Sequence, residues 1–147
     1  MKKVNLDRSI NHHIAISSIM MKRVLFKILA KNNLNITPEQ WNILYYLSEK
    51  GSMTIGEMSK YTYKDFANTS RIAQKLEKLG YIVKMKSEKD KRTASISITD
   101  SGRNINKEIH KCAYQAMNIC TEGIGVEEQN IILNGLKKFI DNTNNYL

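Results

Sequence analysis

Hydrogen-bond donors and positive charges recur at three- and four-residue spacing between Asp65 and Leu79. The residues of this set are Asn68, Arg71, Lys75 and Lys78. Such spacing places side chains on one face of an α-helix, and Glu77 is the only carboxylate in the body of the segment. A basic helix face is most often a solvated surface, and otherwise it is a binding surface for a polyanion.

The same segment has an apolar face that must be buried against other helices. Its members are Ile72, Leu76 and Leu79, with Phe66 and Ala73 beside them. Gly80 follows directly, and glycine is common just beyond the end of a helix because it adopts the left-handed conformation. We therefore predict a helix between Asp65 and Leu79 with one buried face and one basic face.

A shorter helix is predicted just upstream. Thr54 to Glu57 has the Ser/Thr-x-x-Glu form of a capping box, and Ile55, Met58 and Tyr61 would form its buried side. Two helices joined by a turn form a helix-turn-helix, whose second helix enters the major groove of DNA with its N-terminal end first. The candidate DNA contacts on that helix are Asn68, Thr69, Ser70, Arg71, Gln74 and Lys75.

Two antiparallel strands are predicted downstream, at Tyr81–Lys86 and Thr93–Thr99, because hydrophobicity alternates there. The predicted apolar sides are Tyr81, Val83 and Met85 on the first strand, and Ala94, Ile96 and Ile98 on the second. Between them, Ser87–Arg92 carries five charges in six residues and is too polar to be buried. The pattern predicts a β-hairpin with a charged tip, a wing, on which Lys84, Lys86 and Lys89 would contact phosphates.

With these elements in place, the chain resembles the MarR family of winged-helix transcription factors. The residues that carry the resemblance are Thr37-Pro-Glu-Gln40 with Leu44 and Leu47, Leu76-Glu-Lys-Leu-Gly-Tyr-Ile82, Asp90-Lys-Arg92, and Ile98-Thr99 followed by Gly102. They follow the order and spacing of the family, whose length accounts for essentially all 147 residues. Lys91 departs from the pattern, because the family often has Arg there; Lys keeps the charge but lacks the planar fork of donors.

The resemblance implies a mostly α fold with a small β-wing. A single chain, residues 1–147, would contain a winged helix-turn-helix DNA-binding lobe at 37–102, flanked by dimerisation helices at 7–32 and 103–143. By resemblance the protein would be a homodimer that binds a pseudo-palindromic operator in double-stranded DNA, acting as a repressor modulated by a small, aromatic ligand.

The resemblance also assigns individual residues. Arg92 would enter the minor groove while Asp90 holds its guanidinium in place, with Lys91 beside them at the wing tip. Ligand pockets in this family lie between the dimer helices and the DNA-binding lobe, where this chain has Trp41 and Tyr45. Both side chains lie on one helix face, and they belong either to the core, the commoner role, or to such a pocket.

The remaining helices are predicted from their own patterns. A helix from about Asp7 to Ala30 is apolar on more than one side, so a partner subunit is its natural second cover. Thr37, with Pro38 at the first helical position, starts a helix that Gly51 closes. Thr99 would cap a helix to about Thr121, and a last helix at about Glu127–Asn142 would fray at its Asn-rich end.

The charge of the chain favours a polyanionic partner. The 147 residues include 23 Lys and Arg against 14 Asp and Glu, a formal net charge of +9. The segment Lys60–Arg92 holds ten basic and four acidic residues, whereas Val126–Leu147 holds two basic and three acidic. The positive potential is therefore concentrated on the predicted DNA-reading unit. A protein-interaction module with a winged-helix scaffold remains the alternative function, although it has no need of an acid-poor helix face.

Little in the sequence suggests other chemistry. Cys112 and Cys120 lie about 12 Å apart along a continuous helix, too far for a disulfide, and are interpreted as packing residues. His12 and His13 point to different sides of a helix, so we expect no metal site and no cofactor. No catalytic constellation is present, and the protein is not expected to be an enzyme. No signal peptide or membrane-length apolar run is found, so a cytoplasmic location is expected.

Overall fold

The computed structural model describes residues 5–86 and 94–147. The helices are α1 (Ile10–Lys31), α2 (Pro38–Lys50), α3 (Ile55–Thr62), α4 (Phe66–Lys78), α5 (Asp100–Cys120) and α6 (Val126–Tyr146), and the strands are β1 (Met53–Thr54), β2 (Ile82–Lys86) and β3 (Ala94–Ile98). A 3-10 turn at Leu6–Arg8 precedes α1. The fold is mostly helical with a small antiparallel sheet, as predicted.

The predicted helix starts are confirmed by their hydrogen bonds. The hydroxyls of Thr37 and Thr54 each accept a hydrogen bond from a backbone N–H three residues on. In return, side-chain oxygens of Gln40 and Glu57 accept hydrogen bonds from the backbone N–H groups of the two capping residues. These reciprocal bonds satisfy N–H groups that a helix start leaves without partners. At the start of α5, the hydroxyl of Thr99 accepts from the N–H of Gly102 at 3.0 Å.

The sheet has three strands in the order β1-β3-β2, one more than the sequence predicted. β1 pairs Met53 with Ile96 and Thr54 with Ser95. Two residues are too few to show an alternating pattern, so nothing in the local sequence distinguishes β1 from a loop. Its pairing with β3 fastens the start of α3 to the sheet.

The prediction of which side of β2 is buried is wrong. Ile82 is buried opposite Ile98, whereas Val83 and Met85 are 44% and 45% exposed. Residues directly opposite each other in an antiparallel pair share a face, so the face of Ile82 and Ile98 is the one that packs on the helices. The register therefore also places Lys84, opposite Ile96, on that face.

One hydrophobic core unites the C-terminal end of α1, helices α2 to α5 and the sheet. Its members are Leu25, Ile28, Leu29, Ile36, Ile43, Leu44, Leu47, Met53, Ile55, Met58, Ala73, Leu76, Ile82, Ile96, Ile98, Ile109, Cys112 and Ala116. It contacts α4 through Ala73 and Leu76, and it thereby fixes which face of α4 points to solvent.

The helices at the two ends of the chain carry apolar residues that this core does not cover. Helix α6 has no buried residue, and its exposed apolar side chains include Ile131, Ile132, Leu136, Phe139 and Ile140. The N-terminal half of α1 has exposed apolar residues as well, among them Ile10, Ile16, Ile19 and Met20. Helix α6 also continues to Tyr146, beyond the predicted end near Asn142.

Candidate nucleic-acid interface

The exposed face of α4 carries the predicted donors and positive charges. Asn68, Arg71, Gln74 and Lys75 are all exposed, and with Lys78 they line one groove along the helix. The opposite face is anchored by Ala73 and Leu76, which are fully buried. Because the anchoring face is fixed in the core, the polar face is held outward as a continuous surface of donors.

The structure corrects the prediction for Thr69. This side chain is fully buried, and its hydroxyl donates to the backbone carbonyl of Asp65 at 2.9 Å. It therefore packs in the core and cannot contact a base while α4 keeps this orientation. Its neighbour Ser70 is half-buried.

The buried part of the apolar face of α4 is shorter than predicted at both ends of the helix. Phe66 is 62% exposed and Leu79 is 45% exposed, while Ile72 is half-buried. The two exposed residues lie in the first turn and at the C-cap of the helix, beyond the part that contacts the core. Helical spacing alone locates the direction of a buried face but not how far along the helix that face is covered.

The N-terminal end of α4 is organised by Asp65. One carboxylate oxygen of Asp65 accepts from the backbone N–H of Asn68 at 2.7 Å, and the other accepts from the side-chain amide of the same residue. The pKa of Asp65 is lowered, chiefly by the backbone N–H of Asn68; desolvation opposes this, and the Asn68 amide and the charge of Arg71 lower the pKa further. The carboxylate is therefore ionised at neutral pH.

The turn before α4 has an unusual backbone. Tyr63 ends α3 in the left-handed conformation with φ +52°, which non-glycine residues rarely adopt. Its backbone N–H satisfies the carbonyl of Ser59 at the helix end. This single residue turns the chain from α3 into α4, and the sequence contains no glycine there to indicate it.

The first wing strand contributes Lys84 and Lys86, which are both exposed. The ammonium group of Lys84 lies 3.1 Å from a carboxylate oxygen of Glu77 on α4, a pairing that follows from the register of β2. Sequence reasoning missed Glu77 as a partner, because the two residues are joined only by the packing of β2 against α4. The other predicted wing residues, Lys89, Asp90, Lys91 and Arg92, lie outside the described residues.

Trp41 and Tyr45 join an aromatic cluster between α2 and α5. The indole N–H of Trp41 donates to the side-chain oxygen of the buried Asn106 at 3.0 Å. The ring centroids of Trp41 and Tyr45 lie 5.7 Å and 5.8 Å from that of His110. Trp41 is half-buried and packs against the core, whereas Tyr45 is 36% exposed and lies on the solvent side of the cluster.

The cysteines lie apart from the candidate interface. Cys112 is buried, Cys120 is half-buried, and neither forms a disulfide. Burial raises the pKa of the Cys112 thiol, with a smaller contribution from the nearby charge of Glu108 that Lys111 partly offsets. A raised pKa disfavours the thiolate, the reactive form of cysteine.

Residues 5–86 and 94–147 contain neither a cluster of metal ligands nor a membrane-spanning helix. No group of three or more His, Cys, Asp or Glu side chains is placed there to hold a metal ion. No helix in the same ranges has the length and apolar character needed to cross a bilayer.

Comparison with known proteins agrees with this geometry. The model of the MarR family matches residues 36–94, which include α2, α3, α4 and the first strand of the wing. FarR of Neisseria gonorrhoeae, an HTH-type transcriptional regulator, is 27% identical over 97 residues, or 66% of each chain. The chain thus spans just under two thirds of the length of that relative.

Two solved structures extend the likeness of the fold to nearly the whole chain. One is BpsR of Bordetella bronchiseptica, whose structure concerns the regulation of its DNA binding by 6-hydroxynicotinic acid. It has a TM-score of 0.87 at 18% identity, and the match covers 95% of this chain and 99% of that one. A mutant MarR of Escherichia coli complexed with operator DNA has a TM-score of 0.85 at 21% identity, with the same coverage. The matched segment and the relative FarR make the central part of the chain similar to the MarR family of transcriptional regulators, and the solved structures show that the chain has the winged helix-turn-helix fold of MarR proteins.

Proposed function

We propose that this protein is a sequence-specific, DNA-binding transcriptional regulator that reads the major groove with α4. The observation that carries the proposal is the exposed face of Asn68, Arg71, Gln74 and Lys75, which holds donors and positive charge and no carboxylate. These side chains match the acceptors that base edges and phosphates present. Ser70, half-buried beside them, completes the proposed contact set, and Thr69 is removed from it by its burial.

The wing supplies a second, backbone-directed contact in this proposal. Lys84, Lys86 and Lys89 would contact phosphates, which adds affinity for every sequence alike. Arg92 would enter the minor groove, because a weakly hydrated guanidinium suits a narrow groove with concentrated negative potential. Asp90 would orient that guanidinium, and Lys91 would add charge beside it.

A homodimer is the proposed assembly. The uncovered apolar residues of α6 and of the N-terminal half of α1 would be costly to leave in water, and a second copy presents the same surfaces. Residues 7–32 and 103–143 are thus proposed as the dimerisation helices, around a DNA-binding lobe at 37–102. Two-fold symmetry would place two α4 helices in successive major grooves, so half-sites would lie roughly 10 base pairs apart.

Repression modulated by a small aromatic ligand is the finer part of the proposal. Support comes from BpsR, whose structure concerns regulation of DNA binding by 6-hydroxynicotinic acid, and from the partly exposed rings of Trp41 and Tyr45. A ligand that binds only the folded state raises the apparent stability of a protein. A thermal-shift screen of phenolic and other aromatic acids tests this part, with Trp41→Phe expected to reduce any shift.

The experiment that tests the main proposal is a gel-shift titration with the DNA upstream of the protein's own gene. A shuffled duplex of the same base composition serves as the matched control. We expect the upstream duplex to bind more tightly, with a complex that weakens as salt rises because condensed counterions are released on binding. Equal affinity for both duplexes, or no binding to either, would favour the protein-interaction module instead.

A second duplex tests the symmetry of the complex. Five base pairs inserted between the half-sites rotate one of them to the opposite face of the helix, since a turn of B-DNA is about 10 base pairs. We expect strongly reduced affinity for that duplex, and undiminished binding would contradict the two-fold arrangement.

A further inference from the structure

Asn68 is the polar residue closest to the N-terminal end of α4, the end that a recognition helix presents to base edges. It is exposed, yet its side chain is not free to rotate. Its amide nitrogen donates to one oxygen of Asp65 while its backbone N–H donates to the other at 2.7 Å. Asp65 therefore holds both the start of the helix and the side chain of Asn68.

The chemistry of that contact determines which way the amide faces. An ionised carboxylate only accepts hydrogen bonds, so Asn68 must turn its NH₂ group, and not its carbonyl oxygen, toward Asp65. One of its two N–H donors is used there. The second N–H and the carbonyl oxygen, which belong to the same amide group, are left for a further partner.

A neighbouring donor and acceptor fit one base. In the major groove adenine presents an N7 acceptor and an N6 amino donor, and an Asn amide pairs with both at once. Guanine presents two acceptors, cytosine one donor, and thymine one acceptor with a methyl group. Each of these would leave the carbonyl oxygen or the N–H of Asn68 without a partner.

We propose that Asn68 reads an adenine in the operator and that Asp65 is the positioning residue that pre-orients its amide. The inference rests on the proposed DNA-binding function and deepens it by naming a base and a second residue. Arg71, one turn further along the same face, carries only donors and reads a different position.

The use of both oxygens separates this role from plain helix capping. Ser, Asn and Asp cap helices about equally well through a single oxygen. A carboxylate close to a polyanion opposes binding by Coulomb repulsion, so Ser would be the better residue if capping were its whole task. The second oxygen of Asp65 is the one that Ser lacks, and it is the oxygen that holds the Asn68 amide.

The test is selection of binding sites from randomised duplexes with the full-length wild-type protein and the variants Asn68→Ala, Asp65→Ser and Arg71→Ala. We expect Asn68→Ala to lose one adenine preference, with affinity for the wild-type site roughly 5- to 150-fold lower. Asp65→Ser, which keeps a capping oxygen, should weaken the same adenine preference and no other. Arg71→Ala should alter a different position.

A modified base gives an independent readout. A duplex with 7-deazaadenine at the selected position keeps Watson–Crick pairing but lacks the N7 acceptor. The wild-type protein should bind it several-fold more weakly than the adenine duplex, whereas Asn68→Ala should bind both alike. Circular dichroism of Asp65→Ser should show the helix content of the wild type, because the cap is retained.

Three results would overturn the inference alone. They are unchanged base preferences in Asn68→Ala, equal wild-type affinity for adenine and 7-deazaadenine duplexes, and an Asp65→Ser variant that binds all duplexes more tightly with its adenine preference intact. A wild-type selection that enriches no sequence would instead overturn the proposed function, and this inference with it.

Discussion

Asp65 and Glu57 are the carboxylates that start the two helices of the candidate DNA-reading unit. Each accepts hydrogen bonds from backbone and side-chain groups only three residues away in the chain. Such local bonds form with little loop-closure cost, and at Glu57 the residue types alone predicted the helix start. The same bonds make the two carboxylates contribute to stability in a way that depends on pH.

Replacing Glu57 by Gln should reduce the acid sensitivity of the fold. The backbone N–H and then the hydroxyl of Thr54 lower the pKa of Glu57, desolvation opposes them, and the charge of Lys60 adds to the lowering. A lowered folded-state pKa contributes stability above the ordinary Glu pKa of about 4.3, and this contribution is lost as pH falls through the lowered value.

Gln keeps the capping geometry but does not titrate. In urea unfolding followed from pH 7 to pH 3, the wild type should therefore lose more unfolding free energy below about pH 4.3 than Glu57→Gln does. Parallel pH profiles for the two proteins would show that the Thr54 contacts do not act on the charge.

Replacing Arg71 by Ala should cost on the order of 1–3 kcal/mol of binding free energy on the cognate duplex and relax discrimination at one base position. The reason is that a bidentate guanidinium contact to a base edge is sequence-specific. Lys138→Ala, which removes an exposed charge on α6, is the matched control and should bind like the wild type. If Arg71→Ala weakened cognate and random duplexes equally, Arg71 would contact the backbone and not a base.

At the level of elements, β2 and β3 connect the end of α4 to the start of α5. The hydroxyl of Thr99 donates to the carbonyl of Gly80 at 2.7 Å while it also caps α5. Gly102, in the first turn of α5, lies directly against the backbone carbonyl of Tyr81. The position of α4 relative to the rest of the lobe thus depends on a close approach of two backbones.

Gly102→Ala should destabilise the fold by about 1–3 kcal/mol, the usual range for overpacking a tight site. A Cβ atom at Gly102 would overlap the carbonyl oxygen of Tyr81 and lie 2.8 Å from Cγ1 of Ile98, and the backbone cannot move aside without disturbing the sheet. Gly56→Ala is the control, because a Cβ there meets only Thr54 Oγ1 at 3.9 Å. Equal urea midpoints for the two variants would contradict the close approach.

Lys84→Ala should weaken binding to all duplexes alike and lower the slope of log affinity against log salt by about one unit. The ion pair with Glu77 holds the ammonium group of Lys84 at the junction of α4 and β2. Gel shifts at several salt concentrations measure the slope. A loss confined to the cognate duplex would place Lys84 at a base instead.

At the level of the whole molecule, the apolar surface of α6 is left uncovered by the described residues of one chain. None of its residues is buried, although six of its side chains between Ile131 and Ile140 are large and apolar. Most helical stability in proteins comes from packing an amphipathic face. Helix α6 therefore requires a cover that residues 5–86 and 94–147 do not supply.

Sedimentation equilibrium at micromolar concentration should find a dimer of 16.9 kDa chains with an extensive interface, of the size class above about 2,000 Å² that obligate pairs bury. Leu136→Asp should shift the protein to monomer or unfold it, because it places a charge in an apolar contact, whereas Lys138→Ala should remain dimeric. A folded wild-type monomer near 16.9 kDa would contradict the proposed assembly.

The features that the sequence determined by itself are those with local causes. The starts of α2, α3 and α5 follow from capping residues three positions away from their partners, and α4 with its basic face follows from helical spacing. Motif order was sufficient to indicate the family. Each of these signals lies within a few residues of the element it predicts, so no knowledge of distant packing was needed.

The tertiary structure decided the features whose causes are far apart in the chain. The burial of Thr69, the pairing of β1 with β3 and the contact of Lys84 with Glu77 each depend on which elements pack together. Periodicity gives the direction of an apolar face, but the extent of its burial depends on the neighbour that covers it. Phe66 and Val83 were both predicted on apolar faces and are both exposed. Phe66 lies beyond the covered part of α4, and Val83 lies on the face of β2 opposite to Ile82.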